Sequence, residues 1–289
     1  MAATVRELGL PGLVDMHLHF MPDSVQRKVW AFFDQLADAE YGTPWPIQYR
    51  LPIAERLAVL RDLGVIRFAP LLYPHRPGMA RWLNEWVAEF AAATPEAVPT
   101  ATFFPEPGAA DYLAEALAAG AACVKAHVHV GAYDPRDELL TPVWGLLAEA
   151  GVPVVAHCGH SPAPGEFTGL SVFEEVLASH PRLVAVLAHA GAPEYGHALD
   201  LVARYPRVHL DTTMVGTAFA WAGDLPADWP ARLADVGDRV VLGTDFPSIP
   251  YPYAEQIAVI VRWASADDRL GAPFLRAVLH DTPTRLLTR

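Results

Sequence analysis

The stretch Gly12-Leu-Val-Asp-Met-His-Leu-His-Phe20 has the pattern of a short apolar strand with two histidines at its carboxyl end. Because successive side chains of a strand point to opposite faces, His17 and His19 project to the same side. Neutral imidazole nitrogen is a good ligand for Zn²⁺ and similar borderline ions. The pair is therefore either half of a coordination sphere or a hydrogen-bonded structural pair, and the rest of the chain must decide between the two.

Beyond this stretch, apolar strand-like runs alternate with runs of helical apolar spacing. Such alternation predicts parallel strands joined by right-handed helical crossovers. Eight βα units in a chain of this length predict a (β/α)8 TIM barrel, and no glycine-rich phosphate loop indicates an open nucleotide-binding sheet. The eight predicted strands are Leu13–Phe20, Val65–Tyr73, Val98–Phe104, Ala121–Val130, Val152–His157, Leu183–His189, Val208–Met214 and Val240–Phe246.

The segment from Met21 to Pro52 is rich in aromatic residues and proline. We interpret it as an insertion after strand 1, which covers one end of the core or forms a wall of a substrate pocket. No low-complexity linker interrupts the remaining chain, so residues 1–289 are expected to form one domain.

Composition excludes several classes of partner. The formal net charge of −12, without a Lys/Arg cluster, argues against nucleic acid and against an anionic membrane surface. Cys123 and Cys158 lie in apolar strand-like runs, as buried free thiols do in a reducing compartment. With no signal-peptide core and no run of about 18 apolar residues, we expect a soluble cytoplasmic protein that acts on a small molecule, as a monomer or a homo-oligomer.

Polar side chains recur at the carboxyl ends of the predicted strands. In a barrel these ends meet at one rim, so residues distant in sequence become neighbours there. One such residue would be unremarkable, but a set at the ends of most strands indicates a functional site. The set contains His17, His19, Lys125, His127, His157, His189, Asp211 and Asp245.

The motifs around these residues resemble those of a known family. They are Asp-x-His-x-His in strand 1, Lys-x-His in strand 4, Ala-His-Cys-Gly in strand 5, Leu-Ala-His-Ala-Gly in strand 6 and Gly-Thr-Asp-Phe-Pro in strand 8. Together they resemble the amidohydrolase superfamily, in its amidohydrolase-related branch. That branch includes carboxymuconate-semialdehyde decarboxylase, aromatic-acid decarboxylases and pyrone-dicarboxylate lactonase. The resemblance extends from Gly12 to about Arg285.

The resemblance implies a role for each matching residue. The implied ligands of one divalent ion, Zn²⁺ or a comparable metal, are His17, His19, His157 and Asp245. His189 matches a catalytic histidine, and Asp245 could also accept a proton. Lys125 matches a strand-4 lysine that is carbamylated in binuclear members of the superfamily. Here we expect an unmodified ammonium that binds substrate or forms an ion pair. His127 and His160 are expected at the substrate pocket, while lactonases of this branch can act without metal.

Three functions remain open at this point. The first is metal-dependent hydrolysis of a small lactone, ester or amide by metal-activated water. The second is nonoxidative decarboxylation of an unsaturated or aromatic carboxylic acid, for which Arg76 after strand 2 would bind the carboxylate. The third is a catalytically silent barrel that binds a ligand, which the complete set of catalytic positions disfavours.

Overall fold

The computed structural model describes residues 5, 7–35, 45–219 and 224–288. Its eight strands are all parallel to their neighbours, with β1 paired to β2 and the strands β3 to β8 paired in chain order. The strands are β1 Leu13–Leu18, β2 Val65–Pro70, β3 Thr100–Thr102, β4 Cys123–His127, β5 Val154–His157, β6 Ala185–Leu187, β7 Val208–Asp211 and β8 Val240–Val241.

Backbone hydrogen bonds close these two sheets into one barrel. The amide of His19 donates to the carbonyl of Phe246 at 2.7 Å, which joins β1 to the segment after β8. The amide of Val98 donates to the carbonyl of Phe68 at 2.9 Å, which joins β2 to the segment before β3. The predicted (β/α)8 barrel is therefore confirmed.

Helices follow the strands and cover the outside of the barrel. They are Asp23–Gln35, Ile53–Asp62, Ala80–Ala93, Ala109–Ala118, Thr141–Ala150, Leu170–Ser179, Tyr195–Arg204, Trp229–Val236, Tyr253–Ala264, Gly271–Arg276 and Thr282–Leu286, with a π-helical turn at Ala277–Asp281 and shorter helical turns at Val128–Gly131, Glu138–Leu140 and Ala188–Gly191. Among the described residues, no helix combines the length and the apolar character needed to cross a membrane.

The alternation of side chains along β4 and β5 separates two parts of the core. Val124 and Val154 belong to the large apolar cluster that also contains helix residues such as Leu147. Cys123 and Val155 belong to a smaller cluster that contains residues of other strands. Because side chains alternate with period two, the face that carries Cys123 and Val155 continues to the functional residues at the strand ends.

Several strands end earlier than predicted, because the backbone turns sharply at the rim. β4 ends at His127 and a helical turn follows, so the predicted strand Ala121–Val130 is too long at its carboxyl end. After β6, His189 has φ 55°, and after β8, Asp245 has φ 64°. Left-handed conformations at non-glycine residues concentrate at functional sites, where the surrounding structure holds them.

The segment after β1 contains the helix Asp23–Gln35. Part of the predicted insertion, including Tyr41, lies outside the described residues.

Candidate metal centre

Three potential metal ligands converge at the carboxyl rim of the barrel. The donor atoms of His17, His189 and Asp245 all lie within 4.8 Å of one another. His17 Nε2 is 3.1 Å from Asp245 Oδ1, and His189 Nε2 is 3.9 Å from Asp245 Oδ2. Both rings are nearly inaccessible, whereas the Asp245 side chain is 20% exposed. The carboxylate is thus the member of the group that reaches farthest toward solvent.

Asp211 fixes the orientation of His17. Its Oδ2 lies 2.7 Å from His17 Nδ1, and its Oδ1 accepts the backbone amides of His189 at 2.8 Å and Thr213 at 3.0 Å. Burial raises the pKa of Asp211, but His17 outweighs it and the pKa is lowered, so the carboxylate is ionised. A carboxylate only accepts, so Nδ1 of His17 donates to Asp211. Burial and Lys125 oppose protonation of the ring, but Asp211 and Asp245 outweigh them and the pKa of His17 is raised, so a metal ion would displace a proton from Nε2 when it binds there.

His19 gives the strongest indication that a cation belongs here. Its Nδ1 lies 2.8 Å from the carbonyl oxygen of Leu71, so Nδ1 must donate, while Nε2 lies 2.9 Å from Asp245 Oδ1. Its pKa is lowered, mainly by burial, so the ring is neutral and has only one proton. Nε2 and the carboxylate oxygen are then two acceptors at hydrogen-bond distance, an arrangement that a metal ion between them would stabilise. The donor set therefore fits a divalent ion.

His157 and His127 form a stacked pair beside this group, with ring centroids 4.2 Å apart. His157 Nε2 lies 2.8 Å from the carbonyl oxygen of Ser161, so a metal bond from this ring would use Nδ1. The pKa values of both rings are well below the usual range, with burial as the first cause. The histidine pair is neutral, and its role as a ligand remains a prediction for His157.

His189 is a neutral ring that its hydrogen bond holds in one tautomer. Its Nδ1 lies 3.1 Å from the carbonyl oxygen of Thr213 and must donate to it. Burial lowers its pKa to about 4, so at neutral pH the ring is uncharged and Nε2 has the lone pair. That nitrogen is directed toward Asp245, at the rim of the barrel.

Two buried ionisable groups support the centre from within the barrel. Lys125 Nζ lies 2.9 Å from His17 Nε2, and burial lowers its pKa to about 8. Asp15 accepts the hydroxyls of Thr244 at 2.6 Å and Tyr253 at 3.0 Å, and its pKa is raised to about 7, chiefly by burial. Lys125 approaches the nitrogen that an ion would use, whereas Asp15 ties β1 to the segment after β8.

A cavity of about 1200 Å³ opens above this group. Its floor contains His17, His19, His127, His157, His189 and Asp245. Arg76 lines the cavity at an exposed position. His160 is not among the residues that line it, and its Nδ1 lies 3.0 Å from Thr168 Oγ1. The structure thus gathers every predicted site residue at or directly below the cavity except His160.

A family model described as amidohydrolase matches residues 14–289. The chain belongs to the amidohydrolase family. A search of curated proteins finds no match.

Solved structures share the fold of this amidohydrolase at low sequence identity. An uncharacterized TIM-barrel protein from Bordetella bronchiseptica is 19% identical, with a TM-score of 0.70, and the match covers 95% of this chain and 98% of that one. A 5-carboxyvanillate decarboxylase from Novosphingobium aromaticivorans, complexed with manganese and 4-hydroxy-3-methoxy-5-nitrobenzoic acid, is 17% identical, with a TM-score of 0.63 and 95% coverage of both chains.

A third similar structure is a probable 2-pyrone-4,6-dicarboxylic acid hydrolase from Acinetobacter baumannii with citric acid bound. It is 15% identical, with a TM-score of 0.58, and the match covers 96% of this chain and 99% of that one. The structures that share this fold therefore include a probable hydrolase and a decarboxylase, and the decarboxylase was solved with manganese.

Some residues around the site of this amidohydrolase were not assigned a role from the sequence. Asp211 was placed at the rim, but its contact with His17 Nδ1 depends on tertiary structure. Thr213 and Tyr73 carry no sequence signal of their own, although Tyr73 lines the cavity and its ring packs edge-on against His19 and His127. Lys28, one of two lysines in the chain, also lines the cavity.

Proposed function

We propose that this amidohydrolase is a metal-dependent hydrolase of a small-molecule lactone, ester or amide, with residues 1–289 as one catalytic domain. The observation that carries the proposal is the His19 Nε2 to Asp245 Oδ1 contact of 2.9 Å, beside the convergent donors of His17 and His189. The ligands of one divalent ion, Zn²⁺ or a comparable metal, would be His17, His19, His157 and Asp245.

A divalent ion at this position would act as a Lewis acid toward a substrate carbonyl and a water molecule. The protein supplies the proton acceptors: His189 Nε2 has a lone pair at neutral pH, and the pKa of Asp245 is well below its usual range because His17, 3.1 Å away, outweighs the opposing effect of burial. His189 would accept the proton of the attacking water and return it to the leaving oxygen or nitrogen. The hydrogen bond from Nδ1 to the carbonyl of Thr213 keeps the ring in the required tautomer.

Nonoxidative decarboxylation of an unsaturated or aromatic acid is the second candidate. The aromatic side chains of the cavity favour it, because Tyr73, Phe33 and Trp45 could hold a flat ring. The position of Arg76 weighs against it. This arginine is exposed, whereas a guanidinium that positions the reacting carboxylate would be expected beside the floor.

One experiment separates these functions. Protein supplied with Zn²⁺ or Mn²⁺ is incubated in ¹⁸O-labelled water with a panel of lactones, aryl esters, amides and aromatic acids, and product mass and released carbon dioxide are measured together. Label in the product without carbon dioxide supports hydrolysis. Release of carbon dioxide without label in the organic product assigns decarboxylation. Absence of both results assigns the silent ligand-binding barrel. His180→Asn, a histidine at the end of an outer helix, serves as the control for His17→Asn.

A further inference from the structure

Exposed apolar side chains collect at the mouth of the cavity. Among the described residues, five large hydrophobic side chains are exposed, and three of them line this one cavity: Phe32 at 55%, Trp82 at 43% and Val130 at 37%. Exposed apolar surface gathered around a concave site is typical of a binding surface, whereas isolated examples need no explanation. The mouth is therefore built to contact an apolar part of a ligand.

One face of the helix Asp23–Gln35 continues this apolar surface toward the floor. Val25, Val29 and Phe32 line the cavity at spacings of three and four residues, as neighbours on one helix face do, with Phe33 beside them. From Val25 to Phe33 the helix rises about 12 Å at 1.5 Å per residue. The wall is thus longer than a single aromatic ring.

Two cations interrupt the apolar mouth. Lys28 lies on the same helix face, and Arg76 lies in the segment after β2; both are exposed and line the cavity. Within the described parts of the chain neither forms an ion pair, although many other arginines do. Among the described residues that line the cavity, Asp245 at the floor is the only carboxylate. The described part of the mouth therefore presents two cations, Lys28 and Arg76, and no carboxylate among its own lining residues.

We propose that the substrate is an amphipathic organic anion with its reacting carbonyl at one end, an apolar body of more than one ring in the middle, and a carboxylate or similar anionic group at the far end. The reacting end lies at the metal centre, the apolar body contacts Phe32, Trp82 and Val29, and the anionic end binds Lys28 and Arg76. This assignment rests on the proposed function for the reacting end, but recognition of the apolar body and the anionic end can be tested without catalysis.

A matched pair of fluorescent probes tests the binding directly. 8-Anilinonaphthalene-1-sulfonate and N-phenyl-1-naphthylamine share the same aromatic body, and only the first is an anion. Lys28→Gln and Arg76→Gln should each weaken binding of the sulfonate about fivefold, the effect of losing one exposed charge contact, and should leave the neutral probe unchanged. Trp82→Ala should weaken both probes. High salt should reproduce the effect of the charge variants on the wild type.

Arg27→Gln is the matched control, because Arg27 is an exposed cation on the same helix that does not line the cavity. Equal effects of Arg27→Gln and Lys28→Gln, or sulfonate binding that is unchanged in the Lys28→Gln/Arg76→Gln double variant, would overturn the proposal. Circular dichroism verifies that each variant is folded.

Kinetics then links the site to turnover. With two esters that differ only in a distal carboxylate, the double variant should raise KM for the anionic ester about 20-fold more than KM for the neutral ester. If the wild-type enzyme hydrolyses both esters with the same KM, the assignment of an anionic substrate is wrong and the proposed hydrolase function still stands. Absence of any turnover, with selective sulfonate binding intact, would refute the proposed function and leave the recognition site standing.

Discussion

Replacing Asp211 by asparagine is expected to weaken binding of a divalent ion about 10- to 100-fold, which corresponds to about 1.4–2.7 kcal/mol. The side-chain oxygen of asparagine would still be required by the backbone amides of His189 and Thr213. The new NH₂ group must then face His17 Nδ1, where the wild-type carboxylate accepts at 2.7 Å. To accept this donor, the imidazole must move its own proton to Nε2, the nitrogen that an ion would use.

The assay is competition between metal-depleted protein and a chromophoric zinc chelator at pH 7.5. Asp200→Asn is the control, since Asp200 is a largely exposed aspartate that pairs with Arg232 on the outside of the barrel. Thermal unfolding of both variants verifies the fold. A folded Asp211→Asn protein whose zinc affinity stays within threefold of wild type would show that His17 does not hold the ion through Nε2.

Three further predictions concern catalysis, acid stability and packing. His189→Asn should lower kcat by about 10² to 10⁴ with metal content unchanged, since it removes the proton acceptor; loss of the ion would instead make His189 a ligand. Burial lowers the pKa of His209 to about 4 in the folded protein, whereas the unfolded chain keeps the ordinary value of about 6.5. As the pH falls from about 7.5 to 5, the unfolded chain takes up a proton that the folded protein does not, so His209 should lower the free energy of unfolding by about 2 kcal/mol. Urea unfolding of wild type and His209→Gln at both pH values measures how much stability each protein loses, and an equal loss in the two proteins would contradict this prediction. Gly243→Ala should lower the free energy of unfolding by about 1–3 kcal/mol and weaken zinc binding, because the added Cβ would overlap Thr213 Oγ1 and lie 2.8 Å from His17 Cβ. An unchanged melting temperature and zinc affinity would show that the neighbouring residues can move to accommodate the methyl group.

The barrel could be predicted because runs with the apolar pattern of a strand alternate with runs that have the apolar spacing of a helix, and this alternation repeats along the chain. The order of the eight strands and their place along the chain agree with the structure, and the residues at the strand ends do meet at one rim. Apolar runs show where a chain can be extended, so they overestimate strands such as β8, which has two residues in place of the predicted seven. Nothing in the local sequence indicates that Asp245 takes a left-handed conformation at this rim.

The sequence indicated which residues meet at the rim, but it indicated only part of the contacts between them. His17, His19 and Asp245 lie together because alternation along β1 and the closure of the barrel dictate it. The close approach of His189 to Asp245 depends on the turn after β6, and the contact between Asp211 and His17 spans 194 residues. His160 lies in the loop after β5 and not at a strand end, and its Nδ1 lies 3.0 Å from Thr168 Oγ1. Which residues a loop turns toward is a property of the packed protein.

We expect one divalent ion to be held by Asp245 together with the histidines of β1. The most direct measurement is an anomalous difference map of crystals of the active holoenzyme, recorded at the absorption edge of the metal found by elemental analysis. We expect one peak per chain, about 2.0–2.2 Å from His17 Nε2, His19 Nε2, His157 Nδ1 and a carboxylate oxygen of Asp245. An active enzyme without a peak there, or with two peaks bridged by a modified Lys125, would contradict it.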